Sequence, residues 1–120
     1  MRDIHLGEVE ARFAEIIWNN APVSSMRLVQ LAAEELNWKK STTYTVLKRL
    51  CEKDLFVNEG GTVQILISKK EYGIMRGEAL IDQEFSGSLP AFLAAFSKRR
   101  PLTEEEIKQL SALLVPPGKE

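Results

Sequence analysis

The sequence predicts a mainly α-helical chain with one small β-hairpin: three helices, the hairpin, then three more helices. Three observations carry this reading. Apolar residues recur at helical spacing as far as Leu50, strand-like runs then flank a Gly-Gly turn, and helical spacing with two capping boxes returns after Ser68.

In the first helix, roughly residues 7 to 19, Val9, Phe13, Ile16 and Ile17 share one face of "EVEARFAEIIWNN", and Asn19-Asn20-Ala21-Pro22 closes it. The second, in "VSSMRLVQLAAEEL", takes Ser24 or Ser25 as its N-cap and buries Leu28, Val29, Leu31, Ala32 and Leu36. Asn37-Trp38 then turns the chain into "WKKSTTYTVLKRLCEK". There Thr43, Val46, Leu47 and Leu50 repeat at i, i+3, i+4 and i+7, so one face is core and the opposite face is open. Ser41 is a good cap for this third helix, although it could begin two residues earlier. In "LFVNEGGTVQILIS", β-branched and aromatic runs on either side of Asn58-Glu59-Gly60-Gly61 signal a hairpin. Three helices followed by a hairpin, with the third helix basic, is the order of a winged helix-turn-helix whose wing is the hairpin.

Composition shifts at residue 68, which divides the chain into an expected winged-helix DNA-binding domain, 1–68, and a helical dimerisation region, 69–120. Ser68-Lys69-Lys70-Glu71 reads as a capping box for a helix that runs to about Phe85, where Ser86-Gly87-Ser88 interrupts it. "SLPAFLAAFSKRR" is a short helix capped by Ser88 and ended by Pro101. Thr103-Glu104-Glu105-Glu106 opens the last helix, its acids serving the cap and the helix dipole, and the tail Pro116-Pro117-Gly118 is expected to fray. Phe85, Leu89, Phe92, Leu93, Phe96, Ile107, Leu110 and Leu114, with Leu102 and Leu113, are too many apolar residues for surface decoration. Either they fold back on the winged helix or they pair with a second copy. The short connections favour a two-fold homodimer matching a two-fold DNA site.

With 120 residues, 44% hydrophobic and 28% charged, the chain has the composition of an ordinary soluble globular protein. No apolar run approaches the roughly 20 residues that span a bilayer, and the start "MRDIHLGEVE" lacks the apolar stretch of a signal peptide. The single cysteine, Cys51, excludes an internal disulfide framework and argues for a reducing compartment, so a cytoplasmic location is expected. The net charge of −1 hides an uneven distribution: −3 over residues 1–38, +4 over 39–53, −2 over 54–68 and balance thereafter. A local basic patch in an acidic chain is the footprint of a module that grips phosphate. By charge alone it also describes a solvated, lysine-rich helix face.

The wheel of the third helix sets Thr42, Tyr44, Thr45, Lys48 and Arg49 off the apolar face, where they can enter a major groove. Hydroxyls exchange hydrogen bonds with base edges, a threonine methyl packs on thymine, and Arg49, near the far end, suits phosphate. Lys39, Lys40 and Ser41 at the helix start suit the DNA backbone, and Asn58 and Thr62 would extend the contact along the wing. No cofactor or metal is expected: His5 stands alone, and Gly60-Gly61 precedes no helix, so it is no phosphate loop. Cys51 reads as a small, partly buried residue, with a redox sensor activated by Lys48 as the less favoured reading. Trp18 and Trp38 read as core. One His, one Cys and no clustered carboxylates leave no catalytic set, so an enzyme is the weakest class. The alternative to DNA binding is a winged-helix module whose third helix contacts another protein.

Three stretches, "LGEVEARFAEIIW", "WKKSTTYTVLKRLCEKDLF" and "LTEEEIKQLSALL", resemble the penicillinase-repressor (BlaI/MecI) family of winged-helix transcriptional regulators over nearly the whole chain. "TTYTVLKRL" is the most specific of the matching runs, because generic winged helices share only its apolar spacing. The resemblance implies repression by a dimer bound to a double-stranded DNA operator. It also implies release through a sensor-dependent protease that cuts the dimer helices. The best-known members have an Asn-Phe bond there, and the corresponding bond here is Ala95-Phe96. The family often has glycine after the recognition helix where this chain has Asp54, and the C-terminal cysteine pairs of its copper-responsive branch are absent from this sequence.

Overall fold

The chain enters its first helix at Gly7, whose amide donates to Glu10 Oε1 at 3.0 Å and so ties the first turn together. The computed structural model describes residues 4–114. Helix α1 spans Glu8–Asn20, strand β1 Val23–Ser24, α2 Ser25–Leu36 and α3 Lys40–Glu52. Strands β2, Phe56–Glu59, and β3, Thr62–Ile65, make the hairpin, and α4, Lys69–Phe85, α5, Leu89–Arg99, and α6, Glu104–Leu113, follow. This is a mainly helical winged helix with a three-stranded antiparallel sheet in the order β1-β3-β2.

Ser24 caps α2 by accepting from the Arg27 amide at 3.0 Å. The helix ends at Asn37, which adopts the left-handed conformation (φ 58°) that lets the Trp38 amide return to the Ala32 carbonyl. Helix α3 begins at Lys40 with no side-chain cap, so Ser41 lies inside its first turn. The hairpin closes on two glycines, both at positive φ (60° and 92°), the geometry that matches a tight turn to the twist of its strands. Asn58 Oδ1 accepts from the Gly61 amide at 3.1 Å and holds that turn. Asp54, where the chain leaves α3, is also left-handed (φ 62°), a conformation glycine adopts at lower cost.

The core gathers Phe13 and Ile17 of α1, Leu28 and Ala32 of α2, Leu47 and Leu50 of α3, and Leu55, Phe56 and Val63 at the hairpin. Val9, expected inside, is half exposed; Leu6, in the segment before α1, covers that end of the core instead. Val29 and Leu36 are only half-buried. Trp18 and Trp38 pack on the edge of the core. Trp38 leans on Phe13 with ring centroids 5.2 Å apart, and Trp18 lies between Phe56 and Tyr72 while its indole N–H donates to the Ile67 carbonyl at 3.0 Å. Tyr72 is buried and its hydroxyl donates to the Ile4 carbonyl at 2.7 Å, so the first turn of α4 belongs to this core.

By contact density the chain forms two compact units, one ending at Glu78 and the other starting at Ala79. In the second, Ser88 caps α5 through the Ala91 amide. The edge-to-face pair Phe85–Phe92 continues into the stacked pair Phe92–Phe96. Thr103 and Glu106 complete a reciprocal capping box on α6, each amide bonded to the other's side chain at 3.0 Å. Hydrogen bonds from Arg100, then the Thr103 amide, hold the Glu106 carboxyl below its usual range. The tail Pro116-Pro117-Gly118 lies outside the described residues.

Candidate nucleic-acid interface

Helix α3 buries one side and leaves the other open. Thr43, Val46, Leu47 and Leu50 are all buried, and Thr43 satisfies its hydroxyl by donating to the Lys39 carbonyl at 3.1 Å. The opposite side exposes Lys40, Ser41, Thr42, Thr45, Lys48 and Arg49, with Lys39 exposed at the helix entrance. Thr45 is exposed and donates its hydroxyl to the Ser41 carbonyl at 2.9 Å.

The placement of charge is the informative feature. Helices α1, α4 and α6 carry acids in their first turns, where the positive end of the helix dipole favours them. Helix α3 has no acid there and has Lys39 and Lys40 instead. Each like-signed charge at that end costs about 0.3–1 kcal/mol in the isolated chain, and a phosphate beside it reverses the sign. Among the described residues, Lys39, Lys40, Lys48 and Arg49 take part in no ion pair. Lys53 is different, since its ammonium donates to the His5 carbonyl and lies 3.9 Å from Glu10. The basic segment thus offers four outward cations, not five.

The wing brings small polar groups and no positive charge. Asn58 and Thr62 are both exposed, Asn58 with its amide oxygen engaged in the turn and Thr62 paired with Ser24 on one side and Glu59 on the other. Tyr44 is placed differently from the other predicted contacts. It is half-buried, packs on the core, and directs its hydroxyl toward Ser25 and Met26 at the start of α2. A groove of about 400 Å³ runs between α3 and β2, lined by Tyr44, Lys48, Cys51, Asp54, Val57 and Asn58 among others. Burial pushes the Cys51 thiol up, and Glu52 adds to the effect against a backbone hydrogen bond at Asn58, so Lys48 does not poise it as a thiolate. The described residues contain no cluster of His, Cys, Asp and Glu that could hold a metal.

The predicted interface residues of the C-terminal unit divide in two. Phe85, Phe92, Leu93 and Leu110 are half-buried within the protomer, whereas Leu89, Phe96, Ile107 and Leu114 are exposed. Ala95 and Phe96 are consecutive exposed residues inside α5.

With this geometry in place, comparison with known proteins supplies the lineage. A family profile described as "Penicillinase repressor" matches residues 6–115. The chain belongs to the penicillinase-repressor family. Among individually curated proteins, none matches it. Penicillinase repressors are transcriptional regulators, not enzymes, and this member is a winged-helix, DNA-binding transcriptional repressor. No helix among its described residues is long and apolar enough to cross a membrane.

Proposed function

We propose that the protein represses transcription as a homodimer that sets α3 of each protomer into the major groove at the two halves of a two-fold symmetric operator. The observation that carries this reading is the start of α3, where Lys39 and Lys40 stand at the positive end of a helix dipole without an acid to offset them. Lys39, Lys40 and Ser41 grip the phosphates, Thr42 and Thr45 face the base edges, and Lys48 and Arg49 close the contact at the far end. Asn58 and Thr62 meet the flanking backbone from the wing. Dimerisation is supported by the apolar side chains that the C-terminal unit leaves uncovered, among them Leu89, Ile107, Leu113 and Leu114. Joining two half-sites raises the effective concentration of the second contact into the millimolar range. Severing α5 at Ala95-Phe96 by a sensor-dependent protease would undo that linkage and release the operator.

The test is selection of genomic DNA fragments by the purified protein, sequencing of those retained, and affinity measurement across a salt series. The expected result is a shared two-fold symmetric motif bound with steep salt dependence. Retained fragments without a common motif, bound equally well at all salt concentrations, would overturn the reading and point to a protein partner for α3.

A further inference from the structure

The first residue of α2 touches both elements that face the DNA. Ser25 is buried, and its amide donates to the Gly61 carbonyl at the wing turn, 2.8 Å away. The residue before it, Ser24, pairs with Thr62 on the wing strand β3. The Ser25 hydroxyl in turn lies 3.4 Å from the hydroxyl of Tyr44 on α3, and the same Tyr44 hydroxyl approaches Met26 Sδ at 3.9 Å. A base-reading tyrosine would extend its hydroxyl away from the protein. This one is turned inward over the core, with its polar end against another helix.

We propose that Tyr44 is a positioning residue that couples the recognition helix to the wing through Ser25. The path is short: wing turn to Ser25 backbone, Ser25 side chain to Tyr44, and Tyr44 ring to the body of α3. Backbone geometry fixes the first link, because Ser25 sits between a two-residue strand and a helix start. The second link is one hydroxyl pair, and removing a single oxygen atom breaks it. With the pair intact, α3 and the wing meet DNA as one body. Without it, α3 keeps its core packing and its Cys51 contact to the wing at Asn58, but loses the polar link that runs through Ser25. This inference rests on the DNA-binding role proposed above for α3 and the wing.

Tyr44→Phe removes the hydroxyl and keeps the ring, and Ser25→Ala removes the other partner in the full-length protein. Amide hydrogen exchange without DNA comes first. In Tyr44→Phe the Ser25 and Gly61 region should exchange roughly two- to ten-fold faster, the range expected for one lost hydrogen bond. Unchanged protection there overturns the coupling, whatever the protein does with DNA. Binding to the selected operator and its single-base variants comes second. Both single variants should lose affinity by a similar factor, with changes at α3 and wing positions alike, and the double variant should be no weaker than either. Additive losses would overturn the proposal. So would a Tyr44→Phe defect confined to one base pair while Ser25→Ala binds normally, since Tyr44 would then read that base itself. If the unaltered protein selects no operator, the DNA-binding reading falls, while the exchange result still decides the coupling.

Discussion

Replacing Lys48 by alanine should flatten the salt dependence of operator binding, and the structure sets the size of the effect. Four outward cations per protomer, Lys39, Lys40, Lys48 and Arg49, become eight in a dimer. If about six of these neutralise phosphates, log K should fall against log[salt] with a slope near −5. Lys48→Ala removes one cation from each protomer, so the slope should shrink by about 1.8. Between 50 and 200 mM salt the unaltered protein would then lose roughly a thousand-fold in affinity, and the variant only about a hundred-fold. Lys48 is exposed and unpaired among the described residues, so its removal should change folding stability by no more than about 0.5 kcal/mol.

Lys53 supplies the control. It lies in the same basic run, yet its ammonium is turned toward His5 and Glu10. Lys53→Ala should therefore leave the salt slope unchanged. Fluorescence anisotropy of a labelled operator duplex over a potassium chloride series measures both. Equal slopes for Lys48→Ala and the unaltered protein, or an equal fall in slope for Lys53→Ala, would refute the assignment of charge to the DNA face.

Thr45→Ala should cost about 1–3 kcal/mol at particular base pairs, whereas Lys40→Ala should weaken all sequences alike; matching site-selection profiles for the two variants would contradict the division between groove and backbone contacts. Leu114→Asp alters a side chain 77% exposed in the protomer, so the winged helix should stay folded while sedimentation shows a shift to monomer. A Leu114→Asp protein that remains dimeric at micromolar concentration would remove this residue from the interface. Gly73→Ala and Gly77→Ala should each stabilise α4 by about 1 kcal/mol, because an added Cβ meets nothing within 4 Å at either position. A lower melting temperature for either variant would mean that a partner approaches that face of the helix closely.

Long-period features of this fold are legible in the sequence and short or long-range ones are not. The four buried positions of α3 announce themselves because helical spacing over two turns is a repeated signal. The capping box at Thr103 and the Gly60-Gly61 turn are local chemistry, and both stand where their residues indicate. Strand β1 has two residues, too few to display alternation, and it exists only because β3 pairs with it. Helix α3 starts ahead of Ser41 although no side chain caps it, so a search for a capping residue points past the true start. Tyr72 joins the core through Trp18 and Ile4, contacts across more than fifty residues that composition at residue 68 does not reveal. At the candidate interface, exposure on α3 follows from its wheel. The inward turn of Tyr44 and the pairing of Lys53 with the N-terminal segment depend on neighbours far off in sequence.

The C-terminal unit gives dimerisation a physical motive beyond symmetry. Among its described residues, Ala79 to Leu114, none is buried. A unit of about forty residues whose described side chains are all at least partly exposed gains little to offset the conformational entropy of ordering its own backbone, about 1–2 kcal/mol per residue. The Phe85–Phe92 and Phe92–Phe96 ring contacts and two good caps supply a few kcal/mol at most. Burial must come from outside the unit, and the exposed leucines of α5 and α6 are the surface available for it. In the proposed dimer, then, folding of this unit and pairing with the second copy are one equilibrium. The Ala95-Phe96 bond lies in the middle of α5, where a protease needs extended backbone and therefore local opening. In that proposed dimer the opening would be opposed chiefly by the partner's contacts, so the same apolar residues that would join the half-sites would also guard the bond whose loss would separate them.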